Sequence, residues 1–215
     1  GIVFVSRFSY EQHLTAMPAL AAKRTLVAHN AIDALPESAI SKAMGNYYLY
    51  FGRLSQEKGL VTLINTFNAM PHLQLKIVGE GPMTDTLKTI AGANIEFCGY
   101  QSGDTLRSTI RDCKAIIVPS EWYENNPMTI IEASAAGIPA IGARIGGIPE
   151  IIVEGKTGYI FTPKSVEELT EAVSKLEALT SEQYEVMSQN CREFADEKFS
   201  DRALYNKVID FYTSI

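Results

Sequence analysis

From Tyr47 onward the chain alternates short apolar runs with amphipathic segments, and this rhythm restricts its fold more than any other feature. Residues 47–51, 73–78, 95–98, 115–118 and 140–142 read as buried strands. Residues 60–69, 83–91, 104–112 and 127–136 read as helices. In the first of these helices Leu60, Leu63, Ile64 and Phe67 repeat close to the helical period. Strands that alternate with helices imply β-α-β crossovers and a mainly parallel sheet covered on both faces, an α/β fold. A short helix at 149–153, a turn and last strand in GKTGYIF, and helices at 166–180, 181–194 and 201–213 complete this part. Ahead of it, residues 2–6 read as a buried strand, 10–17 as a weak helix ended by Pro18, 25–29 as another apolar run, and 35–44 as a polar connector.

Parallel sheets of this kind bind ligands beyond the carboxyl ends of their strands. The loops after Phe51, Val78, Cys98, Val118 and Ala140 are therefore expected to line one crevice. Two of them carry the chemistry. FGRLSQEKG sets Arg53 and Lys58 five residues apart directly after a strand, a planar fork of donors and a compact charge that together can clamp a diphosphate. Taken alone, two solvated loop cations would be the ordinary reading. The other loop opens PSEWYENNPMTIIEASAAGIPAIGARIGGIPEII, with Glu124 and Glu132 on either side of a helix start. Asn126 is the expected N-cap and Pro127 the expected first helical residue. The unpaired N–H groups and positive dipole of such a tip attract phosphate, and nearby carboxylates accept from sugar hydroxyls. The ordinary reading makes Glu132 a surface residue, but Ile130, Ile131, Ala133 and Ala136 make the helix largely buried, and a buried glutamate needs a partner. Trp122 and Tyr123 are candidates for a sugar pocket or for plain packing.

Other motifs are weaker. Gly79-Glu80-Gly81-Pro82 imitates the start of a dinucleotide fingerprint, but Thr84 stands where a third glycine belongs, so a dehydrogenase is rejected. The Glu80 loop is expected to shape a base pocket instead. Gly155-Lys156-Thr157 lacks the earlier glycine of a P-loop, and a hairpin turn is the better reading. Gly146-Gly147 is a tight loop that could bring amides to a ligand or merely join two elements. His13, His29 and His72 show neither ligand nor triad spacing, and no Asp-x-Asp pair supports a metal-bridged diphosphate.

Composition narrows the function classes. A net charge of −6 argues against non-specific nucleic-acid binding. Three cysteines without CxxC spacing read as reduced thiols of a cytoplasmic protein. No apolar run is long enough to span a bilayer. At 215 residues the chain holds one large domain, or one domain and a fragment. It opens on GIVFVS without an initiator Met, and the expectation is a piece of a longer protein.

YLYFGRLSQEKG, LKIVGEGP, the Pro119–Ile152 motif and EGKTGYIF together resemble the carboxyl-terminal half of a retaining glycosyltransferase of family 4, the glycosyl transferases group 1. The resemblance covers the chain from about Tyr47 to its end. It implies one Rossmann-like half of a GT-B architecture, holding a UDP- or GDP-type nucleotide-sugar donor and needing no cofactor or metal. On that pattern Arg53 and Lys58 bind the donor diphosphate, Glu124 contacts the donor sugar, and Glu132 binds the ribose. Amides near Met128 and Thr129 meet phosphate or sugar, and Glu80 and Tyr100 lie by the base. The set Glu124, Arg53 and Lys58 would serve catalysis. Many members carry Phe-Gly after the first acid. Here Asn125-Asn126-Pro127 follows, a departure that bears on the local sugar contacts rather than on the reaction class. FVSRF and TLVAHNAID resemble the last strands of the amino-terminal half and its linker. The expected organisation is therefore 1–33 as a remnant of that half, 34–200 as the nucleotide-sugar domain, and 201–215 as a helix crossing back. The implied activity is hexosyl transfer to a glycan, lipid or small-molecule acceptor, as in polysaccharide biosynthesis. Peripheral contact with the inner membrane surface would run through the missing half. A non-catalytic nucleotide-sugar-binding module and a GT-B-like sugar-nucleotide epimerase are the alternatives. A phosphorylase would need a Schiff-base lysine, for which the sequence gives no signal.

Overall fold

A computed structural model describes residues 1–214. The main sheet has six strands: β3 (Tyr47–Phe51), β4 (Gln74–Val78), β5 (Ile95–Gly99), β6 (Ala115–Val118), β7 (Ala140–Ala143) and β8 (Gly158–Phe161), with β1 (Ile2–Phe4) and β2 (Thr25–Val27) forming a separate pair. In the main sheet the order is β5-β4-β3-β6-β7-β8, and every neighbouring pair is parallel. The order reverses direction between β3 and β6, the place where such sheets open a crevice beyond their carboxyl ends.

Side chains of a strand alternate between faces, so β3 feeds two cores at once. Tyr48 and Tyr50 pack with Leu75, Ile77, Ile117 and Ile141 under α2 (Leu60–Asn68), α3 (Thr84–Ile90) and α6 (Val166–Glu177). Tyr47, Leu49 and Phe51 pack on the other face with Ile116 and Val118 under α4 (Gly103–Arg111), α5 (Met128–Ala135) and α7 (Ser181–Phe199). Burial on both faces explains why these strands read as continuous apolar runs rather than as alternating ones.

The amino-terminal segment is its own small unit. β1, α1 (Arg7–Ala16) and β2 form a parallel pair with a connecting helix, followed by residues 28–46, which hold one 3-10 turn at Glu37–Ala39. α8 (Asp201–Thr213) leaves the end of α7 and packs on this unit. Phe211 is buried there, the Arg24 guanidinium lies 4.7 Å from its ring centroid, and Arg24 also bonds the Ser214 carbonyl at 2.7 Å and the Ser214 hydroxyl. The Ile32 N–H donates to the Phe199 carbonyl at 2.8 Å, so the linker and the α7–α8 corner cross at one point.

Four local expectations need correcting. The first strand ends at Phe4 rather than at residue 6 and is only partly buried, with Val3 38% exposed, because its sheet has a single partner strand. The helix expected at 149–153 is one 3-10 turn, Ile148–Glu150. The Gly155-Lys156-Thr157 turn is not a hairpin, because β8 returns parallel to β7. The helix expected to end at 194 runs on to Phe199, since Ala195 and Phe199 keep a buried stripe going.

Candidate functional site

The loop after β3 is built around Gly59. This residue sits at φ 68°, ψ 24°, caps α2, and leaves no room for a side chain: an added Cβ would lie 1.9 Å from the Pro119 carbonyl oxygen. A left-handed backbone and a close approach both demand glycine. Through this approach the loops after β3 and β6 lie against each other across the switch point. The Glu121 N–H donates to the Glu57 carbonyl at 2.9 Å, and the Thr62 hydroxyl donates to Glu121 Oε1 at 2.8 Å. Lys58 is thereby held at the loop that leads into α5, and its Nζ donates to Glu124 Oε1 at 2.6 Å. The Ser120 hydroxyl donates to the same oxygen at 2.8 Å. Both partners of this ion pair are mostly shielded from solvent, 29% exposed for Lys58 and 19% for Glu124. Such a pair interacts more strongly than one on the open surface.

Arg53 stands exposed in the same loop, its carbonyl accepting from the Tyr50 hydroxyl at 2.8 Å. The Ser55 hydroxyl at 2.6 Å, with help from Lys58 and Arg53, holds the Glu57 carboxyl below its usual range. Both cations belong to the loop that follows β3. Burial raises the Tyr50 hydroxyl, and the negative charges of Glu124 and Glu57 add to the effect.

α5 begins one residue later than the sequence suggests. Pro127 is the cap residue, at φ −65° and ψ 119°, and Met128 is the first helical residue. Asn126 does not cap the helix because its side chain is used elsewhere: buried Asn126 accepts the Asn30 N–H through Oδ1 at 2.6 Å, while Asn30 Nδ2 donates to its carbonyl at 3.1 Å. The amides of Met128 and Thr129 lie in the first turn, where no carbonyl within the helix can reach them. Glu132 follows in the second turn. Burial raises its carboxyl, and the Arg107 cation on α4 opposes the shift. Glu132 and Arg107 line a cavity of about 330 Å³ together with Asp33, Leu35, Gly103 and Leu106. Arg53, Lys58 and Glu124 do not line it. A larger hollow of about 700 Å³, between residues 37–44 and α7, contains none of the sequence-selected residues.

Glu80 and Tyr100 are exposed, after β4 and β5. Glu80 joins the rest through its backbone: the Leu54 N–H donates to its carbonyl at 2.9 Å, and the Met83 N–H donates back to the Leu54 carbonyl at 3.0 Å. So the structure brings Lys58, Glu124 and the Met128–Thr129 turn to the switch point. Glu132 sits deeper along α5, and Glu80 and Tyr100 stand on the β4–β5 side.

Sequence reasoning missed Ser120, Asn126 in its role as a tie to Asn30, and Glu150, whose carboxylate bonds the start of α1. No local pattern marks any of them, because each partner comes from a distant part of the chain or from a loop whose path the sequence does not give. No group of three or more His, Cys, Asp or Glu among the described residues is placed to hold a metal ion, and no described helix is long and apolar enough to cross a membrane.

The family model for glycosyl transferases group 1 matches residues 31–194, which include every residue placed above in the β3, β4, β5 and β6 loops and α5. The chain belongs to this family. Among curated members it is similar to the sulfoquinovosyl transferase SQD2 of Arabidopsis thaliana, 34% identical over 166 residues, covering 74% of this chain and 32% of that protein. It is also similar to the lipopolysaccharide 1,2-N-acetylglucosaminetransferase of Salmonella typhimurium, 27% identical over 169 residues, covering 71% of this chain and 44% of that one. The chain thus spans about a third to a half of the curated relatives it matches. Among solved structures, Anabaena HepE in complex with UDP and glucose superimposes with a TM-score of 0.82 at 21% identity, covering 99% of this chain and 62% of that one. At that identity the likeness is one of fold, and it makes this glycosyltransferase chain one Rossmann-like part of a GT-B architecture.

Proposed function

We propose that this glycosyltransferase chain is the donor-binding part of a retaining enzyme that moves a hexose from a nucleotide-diphosphate sugar to a glycan, lipid or small-molecule acceptor. One observation supports this reading most. At the switch point of a parallel sheet, Lys58 is held at the loop entering α5, beside an acid four residues ahead of the unpaired amides that open the helix. That is the equipment for a diphosphate with a sugar attached.

In this reading Lys58 exchanges part of its bond with Glu124 for a phosphate oxygen, and Arg53 joins it. The amides of Met128 and Thr129 take further phosphate or sugar oxygens. Together they neutralise the charge that grows on the departing diphosphate, an effect that lowers the barrier only as far as it strengthens in the transition state. Glu124, released from Lys58, orients the sugar. Glu132 accepts from the ribose hydroxyls, and the backbone around Glu80 and Tyr100 borders the base. The donor is of the UDP or GDP type: a structural neighbour carries UDP or UDP-glucose, and one curated relative is a GDP-mannose-dependent alpha-mannosyltransferase. We assign residues 1–33 to the acceptor-side half of the enzyme, 34–200 to the donor domain, and 201–215 to the segment, carrying α8, that crosses back toward that half. The setting is cytoplasmic, and an acceptor carried in a membrane would bring the enzyme to its inner surface.

Isothermal titration of UDP-glucose against Arg53→Ala/Lys58→Ala is the direct test. Loss of two charge-assisted contacts predicts affinity roughly a hundredfold or more weaker. Circular dichroism should stay that of the folded chain, with the melting temperature lowered only by the lost Lys58–Glu124 pair. Unchanged affinity would overturn the reading.

A further inference from the structure

α1 carries no acidic residue in its first turn. Most helix starts satisfy their free amides nearby, and this one does so only in part. Ser6 caps it by accepting the Ser9 N–H at 3.0 Å, and the Tyr10 N–H makes the first bond of the helix, to the Ser6 carbonyl at 3.1 Å. The Arg7 and Phe8 amides remain. Glu150, far along the chain, meets both: Oε2 accepts from Arg7 N–H and Oε1 from Phe8 N–H, each at 2.7 Å. The Arg7 side chain turns away to Glu11. The negative charge that complements the dipole of α1 is thus supplied from across the molecule.

Glu150 is itself fixed. It ends the 3-10 turn Ile148–Glu150, which is pinned by fully buried Ile148 and Ile151. Just ahead of this turn the Gly147 N–H donates to the Glu124 carbonyl at 2.6 Å. A Cβ on Gly147 would fall 1.9 Å from the Asn125 carbonyl oxygen and 3.1 Å from Ser6 Cβ. One unbroken series of contacts therefore runs from the start of α1 through Glu150 and Gly147 to the backbone of Glu124. The Asn30–Asn126 pair fastens the same loop from its other end, and Phe8 lies against Tyr123 with ring centroids 5.0 Å apart.

We propose that Glu150 is a positioning residue for the Glu124 loop. By fastening α1 to the Ile148–Glu150 turn, it presses Gly147 against Glu124 and Asn125 and keeps the Glu124 carboxylate over Lys58. The inference deepens the proposed function and rests on it only for the chemistry that Glu124 performs.

Amide hydrogen exchange on this chain tests it without any ligand. Tyr10 reports α1, while Gly147 and Asn30, whose N–H groups are bonded to the loop, report the loop. Glu150→Ala should speed exchange at all three by about tenfold or more, the scale of one lost charge-assisted bond felt at each amide. Glu150→Gln, which keeps the shape and one acceptor, should give a smaller rise. Adding Arg7→Asp to Glu150→Ala places an acid at the helix start and restores α1 alone. Protection should then return at Tyr10 and stay lost at Gly147 and Asn30. Loop amides that are unchanged in both single variants, or recovered with Arg7→Asp, would overturn the proposal, because the carboxylate would then serve only the helix. UDP-glucose titration forms a separate arm, with affinity threefold or more weaker expected for Glu150→Ala. A wild-type chain that binds neither UDP-glucose nor GDP-mannose would overturn the proposed function, while the exchange data would still decide the role of Glu150.

Discussion

Glu132 pays for its place with part of its own stability. Its carboxyl is raised by burial, so the folded chain holds that proton to higher pH than the unfolded chain does. Where the folded state binds more protons, stability falls as pH rises, so this residue costs stability above its folded-state pKa and costs nothing below the unfolded one. Glu132→Gln should therefore raise the melting temperature at pH 7, with the gain fading as pH drops toward 4. UDP-glucose affinity should weaken in the same variant. Thermal melts across that range, with titrations at pH 7, check both. A gain that grew on acidification would contradict the sign. The sequence showed Glu132 as a charge inside an apolar helix pattern. It did not show that Arg107 of α4 is the cation facing it, because helix-to-helix packing is not written in either helix.

At the scale of elements, the β3 and β6 loops work as one piece. Gly59 allows Pro119 to approach, and the approach delivers Lys58 to Glu124. Gly59→Ala forces a left-handed residue with a Cβ onto a carbonyl oxygen, and should cost at least about 2 kcal/mol. Urea unfolding measures that loss. UDP-glucose binding should fall further than stability does, since Lys58 moves with the loop. All six strands of the main sheet and most helices were legible in the sequence. Strands buried on both faces leave unbroken apolar runs, and α2 repeats at the helical period. The start of α5 was misplaced by one residue for a tertiary reason. Asn126 has the chemistry of an N-cap, but Asn30 claims its side chain, so Pro127 becomes the cap and Met128 the first helical residue.

For the whole molecule, the amino-terminal unit stands apart from the main core and is held to the rest through its ends. The loops over the candidate site grip residues 6–8 and 29–30, the Ile32–Phe199 bond ties the linker to the end of α7, and α8 covers the other end through Phe211. Phe211→Ala should release that end. Removing a buried aromatic costs about 3–5 kcal/mol where it is fully enclosed. Here the loss should stay local, because neither large core contains Phe211. Limited proteolysis should cut residues 1–27 first, while the main sheet melts within a few degrees of the unaltered chain. A large fall in the main transition would mean that the two parts unfold together.

The amino-acid sequence alone decided the class of fold, the position of nearly every strand and helix, and which loops carry charge beside a helix start. These follow from local periodicity and from turn chemistry, which neighbouring residues settle among themselves. Tertiary structure alone decided that Lys58 meets Glu124, that Asn126 turns to Asn30 instead of its own helix, and that Glu150 caps a helix more than 140 residues away. Those pairings depend on how the sheet order brings separate loops to one edge, and no stretch of sequence contains that distance.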